Sequence, residues 1–484
     1  QKGIYNNSIL KMTGGTVEVQ EPNYTALECG GGTATIEGGT IKYNNTGNTN
    51  YNTAAIIITT NTATLTLGKE DGNVSITNPE IIGSRYGINN EGNGTFNFYD
   101  GIIKGKTAIN GNLSAKEKGY EVITTEENEI ETAILGNLPV AKIGEKEYYT
   151  FQEAFDACPS DGTETTVEVL RNCTTDMANI IEENKNIVLD IQSYKILSGI
   201  ENLFTNNGKF KIVDSIGNGR IISAKGTILK NEETGNFAIN NITMQMTGSS
   251  AIDETIENKG MLEVTGGVII SDGLKNKCIN NIEQGTVKIT GGTVSAYTYA
   301  IYNTSSNKVE IEGGTVQATY YYEGYSAIYN NTENGVVEIK GGLVTNQGKA
   351  IENKKGTIKV TGGEIRTTQG DTRYSECGIY NNGKVIIEDG KVAALYRGSG
   401  IQNEGGTIEI TGGTVSAPEW YNSIINRGTL EISGGTIKSN QKGIYNNSIL
   451  KMTGGTVEVQ ESKSYNYAAL ECGGGTATIE GGTI

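Results

Sequence analysis

The 484-residue chain has no histidine, one tryptophan, five prolines and only six cysteines. Without histidine it lacks the commonest general base, the Ser–His and Cys–His nucleophile pairs and most zinc sites. Cys29, Cys158, Cys173, Cys278, Cys377 and Cys472 form no C-x-x-C pair, so no metal knuckle or redox motif is written in the chain. No run of 18 apolar residues occurs, and no helical membrane insertion is expected within this segment. Basic residues are outnumbered 55 to 39, and the net charge of -16 disfavours nucleic acid and anionic membrane as partners. The chain opens at Gln1 without an initiator Met or a signal-peptide pattern, which reads as a window cut from something longer.

What is abundant is glycine, 67 residues of it, without the three-residue period of collagen. Mixed with Thr, Val, Ile and Asn, it predicts many short strands joined by tight turns, and about a third of the positions are apolar, enough for a core. The expected fold class is all-β.

A repeat gives that expectation its form. Residues 279–294 (INNIEQGTVKITGGTV), 401–415 (IQNEGGTIEITGGTV) and 424–437 (IINRGTLEISGGTI) are variants of one unit. Its asparagine recurs at Asn206, Asn231, Asn258, Asn281, Asn303, Asn330, Asn353, Asn381, Asn403, Asn426 and Asn446, and Cys472 takes the next slot. The mean step is about 24 residues, within the solenoid range and too short for a propeller blade. Val287 and Ile289 alternate with Thr286, Lys288 and Thr290, the period of a strand with one buried face. Two or three such strands per coil, stacked in parallel, would pile the apolar positions into one core, with Gly-Gly at the corners supplying positive φ. The asparagine column has two readings: exposed turn formers, or a buried ladder in which stacked amides donate to and accept from one another. Each Asn keeps a spacing of two from a residue that is nearly always Ile, which favours the ladder.

The I-x-N…G-T-x-x-I-x-G-G-T pattern resembles the right-handed parallel β-helices of the pectate-lyase-like superfamily. More narrowly it is similar to the adhesive and stalk domains built from such helices in surface proteins of low-GC Gram-positive bacteria. The resemblance spans nearly the whole chain. It implies a right-handed parallel β-helix and an extracellular, cell-surface setting; for function it is unspecific, because one fold serves lyases, glycosidases, tailspikes and inert stalks.

Residues 113–139 break the pattern, lacking Gly-Gly and carrying Glu126, Glu127, Glu129 and Glu131, and read as an inter-solenoid junction. After it, Thr150 and Glu153 spell a capping box, and Phe151, Ala154, Phe155 and Cys158 share one helical face. A short helix over about 150–157 would cover an open solenoid end, with strands resuming at 165–170 and 186–191. The expected organisation is therefore 1–112, the C-terminal part of one solenoid; 113–139, the junction; and 140–484, a second solenoid truncated at its end. The two solenoids are copies: 1–21 is identical to 441–461 and 26–41 to 469–484, a period of about 440 residues with a three-residue insertion between the blocks. Further copies, end to end, are the expected partners.

Candidate chemistry is sparse. Asp100, Asp190, Asp214, Asp253, Asp272, Asp371 and Asp389 are dispersed, several of them in turn contexts, whereas a polysaccharide lyase or hydrolase needs clustered acids. No catalytic residue, metal site or cofactor is expected; no calcium-loop motif occurs. Thr293, Thr315, Thr414 and Thr436 form a column, but Leu343, Glu364 and Lys391 interrupt it, so a β-branched stack is expected rather than an ice-binding face. Tyr5, Tyr302, Tyr329, Tyr380 and Tyr445 sit between the inward Ile and the Asn and should point outward. With Tyr320, Tyr321, Tyr322, Tyr325, Trp420 and Tyr421 they are candidates for stacking glycans, Tyr302, Tyr329, Tyr380 and Trp420 foremost, against the alternative of stacking that only stabilises neighbouring strands. Cys158 and Cys173 are a candidate disulfide, against the alternative of two buried thiols. The functional expectation is a structural or adhesive segment of a tandem-repeat extracellular fibre; the alternative is a polysaccharide-binding or polysaccharide-degrading β-helix.

Overall fold

The structure is a computed structural model that describes residues 3–22, 24–44, 53–70, 74–117, 120–248, 254–274, 276–320, 324–368, 376–418, 420–460 and 468–484. Asp253, Asp371, Tyr321 and Tyr322 lie outside the described residues. The chain divides into two units, Gln1–Pro139 and Val140–Ile484.

The second unit is a parallel β-solenoid of about 24 residues per coil. Over most of its length each coil gives three strands, each pairing in parallel with its counterpart one coil on. Lys277–Asn281 pairs with Tyr299–Asn303, Thr286–Ile289 with Val309–Ile311, and Thr293–Ala296 with Thr315–Ala318. Backbone donors are therefore satisfied by adjacent coils, and alternation decides which side chains go in. Val287 and Ile289 are at most 1 % exposed and stack in register on Val309 and Ile311, while Thr286 and Lys288 face out. Identical positions superpose into apolar columns, which is why one short motif builds a continuous core.

The corner between the second and third strands needs two glycines for two reasons. Gly292 has φ +75, which a β-carbon disfavours, and a β-carbon on Gly291 would sit 2.6 Å from the Thr265 carbonyl oxygen of the coil before. The threonine column follows the corner in register, Thr293 on Thr315, then Leu343, Glu364, Lys391, Thr414 and Thr436.

One end of this unit is capped as the amphipathic spacing requires. A small antiparallel hairpin, Ala141–Ile143 with Lys146–Tyr148, leads into helix α1 (Phe151–Ala157). The Thr150 hydroxyl accepts from the Glu153 amide, and the Glu153 carboxylate accepts from the Thr150 amide, a complete capping box. Phe155 is buried, its ring 6.2 Å from that of Phe204 and 5.8 Å from that of Phe210. The Lys185 ammonium closes the other end of α1 by donating to the carbonyls of Asp156 and Cys158.

The expected Cys158–Cys173 bridge is not formed; both are buried thiols. The Cys158 Sγ turns back along its own helix to the Ala154 carbonyl (3.3 Å), while Cys173 is an inward strand residue in register with Ile196. Burial pushes the Cys158 thiol up, against the opposing pull of Lys185. Cys29 and Cys377 are likewise pushed up to about 12 by burial, so they behave as small core hydrophobes.

The first unit has the same parallel stacking, with Ile4–Asn6, Leu27–Cys29, Ala54–Ile58, Tyr86–Asn89 and Thr107–Asn110 in one sheet. Within residues 113–139 the two longer strands belong to the first unit. Glu121–Glu127 and Ile130–Gly136 form an antiparallel hairpin, and the latter strand also pairs antiparallel with Ile102–Gly105. Its inward Ala133 and Leu135 are each 1 % exposed, and they belong to the first unit's core. Glu126, Glu127 and Glu129 face water on that hairpin while Glu131 accepts from the Ala108 amide at 2.6 Å, and the hairpin reverses the chain instead of adding a coil and so needs no Gly-Gly corner.

Candidate functional site: an asparagine ladder and a tyrosine face

The eleven expected asparagines form one uninterrupted ladder. From Asn206 to Asn446 each Nδ2 donates to the Oδ1 of the next, at 2.7–2.9 Å throughout. All eleven are at most 1 % exposed, and all ten links run in the same direction. Nδ2 carries a second hydrogen, and this goes to the backbone: Asn281 to Gly285, Asn403 to Gly406, Asn446 to Ser448. The turn after each strand is thereby tied to the ladder, and a polar group that would be costly to bury is fully engaged. Apolar or weakly polar residues terminate the column, Ile181 in register with Asn206 and Cys472 with Asn446. A chain of aligned amides polarises each member in the same sense.

One residue earlier on the same strands, the outward column runs Glu257, Asn280, Tyr302, Tyr329, Glu352, Tyr380, Gln402 and Ile425 in register. Tyr302 and Tyr329 stack at 4.8 Å and 15°, and the Tyr299 ring meets both edge-on, at 5.2 and 5.6 Å, and also Tyr325 at 5.3 Å. Lys277 sits 4.2 Å over the Tyr302 ring and Lys349 4.2 Å over Tyr380. Between the aromatic groups lies Glu352, whose side chain is 2 % exposed; its Oε1 takes Lys354 at 2.8 Å and Lys349 at 3.3 Å. Burial pushes the Tyr299 phenol up, and the Glu352 charge pushes the same way. Tyr329 and Tyr380 are raised by burial too, reinforced by Tyr302 and Glu404 respectively.

The face is thus an aromatic and ionic layer packed against itself. The sequence pattern places Tyr302, Tyr329, Glu352 and Tyr380 in one outward column, but gives no sign of Lys277 and Lys349 over the tyrosine rings. Those partners become visible only when the register is known, because they come from neighbouring coils. Trp420 is 64 % exposed in the turn before Asn422–Asn426. Asp190 and Asp214 are turn acids engaged with backbone: Asp190 Oδ1 accepts from the Ser215 amide (3.0 Å), and Asp214 from the amides of Ser193 (2.9 Å), Ile216 (3.2 Å) and Gly219. Among the described residues, no group of three or more His, Cys, Asp or Glu side chains is placed to hold a metal ion.

No protein family, no curated protein and no solved structure matches this chain.

Proposed function

We propose that the chain is a structural and adhesive segment of an extracellular bacterial surface fibre, in which copies of one solenoid module follow each other end to end. The observation that carries this reading is the order of the parts. A closing hairpin, Glu121–Glu127 with Ile130–Gly136, is followed within a few residues by an opening cap, α1, and the coils on either side repeat one another residue for residue at 1–21 and 441–461. A module that begins with its own cap, ends with another and recurs in near-identical copies suits tandem use. Solenoid ends are open sheet edges, and caps keep them from unspecific pairing. The cell-surface setting rests on the sequence resemblance to β-helical adhesin and stalk domains.

The rival reading, a polysaccharide-degrading β-helix, would have to work without histidine and with dispersed acids. Glycan stacking on Tyr302, Tyr329 and Tyr380 is supported less well than a stabilising role, because neighbouring tyrosines and lysines already lie on their rings. Electron microscopy of a protein carrying two or more linked periods tests the proposal. Coils stack at the inter-strand spacing of about 4.8 Å, so a module of roughly 18 coils extends on the order of 70 to 90 Å. Stiff rods with a feature recurring at that interval are expected; compact globules or freely jointed beads would defeat the reading.

A further inference from the structure

Next to the tyrosine stack three side chains meet in an arrangement that the ladder and the fibre reading leave unexplained. The Lys277 Nζ donates to the carboxamide oxygen of Asn280 at 3.2 Å. The Asn280 Nδ2 donates to Glu254 Oε1 at 2.9 Å, and that same oxygen lies 3.6 Å from the Lys277 Nζ. An amine therefore touches the acyl group of an amide whose leaving nitrogen is held by a carboxylate, and the carboxylate reaches the amine as well. All three are largely out of water: the side chains of Lys277 and Glu254 are 19 % and 14 % exposed, and Asn280 is 6 % exposed. The Tyr302 ring lies 4.2 Å from the Lys277 Nζ, shielding it from solvent.

The fold explains how they meet. Glu254 and Lys277 are register partners on adjacent coils, as are Asn280 and Tyr302. Lys277 and Asn280 share the strand Lys277–Asn281, where both take part in the outward-side network despite their spacing of three. Three coils later Lys349 and Glu352 repeat that spacing at 3.3 Å, but there the partner is an acid and makes an ion pair. Only an amide at this position offers ammonia as a leaving group.

We propose that Lys277 and Asn280 form an intramolecular isopeptide bond with Glu254 as the proton shuttle. The Lys277 ammonium passes a proton to the Glu254 carboxylate, giving a neutral amine and a neutral acid. Rotation of the lysine terminus moves Nζ from Oδ1 onto Cγ, and the Nζ–Cγ bond forms. Glu254 delivers its proton to Nδ2, the Cγ–Nδ2 bond breaks, and Glu254 recovers a proton from Nζ as the new amide forms. Glu254 then hands that proton to the departing ammonia. The balance is one lysine ammonium and one carboxamide giving one secondary amide and one ammonium ion, with the carboxylate regenerated and no change of oxidation state. Holding both reactants in contact replaces a bimolecular encounter by an intramolecular step, and the shuttle contributes as general acid and base.

Intact-mass measurement and tryptic mapping of the full 484-residue chain test this. The expected result is a loss of about 17 Da, the mass of ammonia, confined to the peptide spanning residues 277–280. Trypsin should not cut after Lys277, and fragmentation should join its side chain to that of Asn280. Lys277→Arg should restore the full mass, and Glu254→Gln, which keeps hydrogen-bonding capacity, should slow formation on the order of 100-fold. An unmodified Lys277 that trypsin cleaves normally overturns the proposal. So does a 17 Da loss that persists in Lys277→Arg, which would mark a succinimide at Asn280–Asn281 instead. The wild-type peptide map decides the matter even where a variant fails to fold.

Discussion

Replacing Asn330 with alanine removes the middle rung of the ladder. Asn330 accepts from Asn303 at 2.8 Å and donates to Asn353 at 2.9 Å and to the Lys355 carbonyl at 2.8 Å, all within a site that is 0 % exposed. Three hydrogen bonds at about 1 kcal/mol each are lost, and three buried groups on adjacent coils lose a partner, at about 1–3 kcal/mol for any that water cannot reach. The expected destabilisation is about 3–5 kcal/mol. Urea unfolding followed by far-ultraviolet circular dichroism measures it, with Asn440→Ala, at an exposed turn position, as the control within about 0.5 kcal/mol of the parent. Because a solenoid can unravel coil by coil, hydrogen exchange should add local detail: protection should fall first in the strands flanking Asn330. A loss for Asn330→Ala no greater than the control's would refute the buried-ladder energetics and return these residues to the role of turn formers.

Two further outcomes follow from the capping helix and the turn acids. Phe155→Ala empties a ring position packed between Phe151, Phe204 and Phe210 and should cost about 3–5 kcal/mol, measured as a fall in the unfolding midpoint; an unchanged midpoint would mean that α1 does not cover the core. Burial alone would raise the Asp214 carboxyl, but amides of Gly217, Gly219, Ser193 and Ile216 outweigh it and hold its pKa low. A folded pKa below the unfolded value of about 3.9 gives stability that is present above that pH and is lost as pH falls through the folded value. Thermal midpoints of the parent and Asp214→Asn should differ at neutral pH and converge in acid, and a gap independent of pH would sink the argument.

The second unit was legible because its rules are periodic. The ladder, the Gly-Gly corners and the apolar columns each repeat many times, so a local pattern declared a global register. The α1 cap was legible for a different reason, since a capping box with a four-residue apolar face needs no distant partner. What stayed hidden depended on contacts across coils or on a change of strand direction. The hairpin at 121–136 lacks the repeat because it runs antiparallel, and the partners of Tyr302 and Tyr380 are contributed by neighbouring coils. Cys158 and Cys173 were close in sequence, yet the helix turns one thiol onto its own backbone.

The one-way ladder also makes length a free variable. Each rung needs only an amide donating from one side and another accepting on the other, so any rung can follow any other. Excising 304–330 would bring Asn303 against Asn353, with Ile301 meeting Ile351, and Val309–Ile311, the partner of Val287–Ile289, replaced by Val337–Ile339 in the same column. Duplication or deletion by recombination between such similar stretches would lengthen or shorten the protein in steps of whole coils, leaving the core closed and the phase intact. A molecule built this way can adjust its reach over evolutionary time while the ladder's own links stay the same.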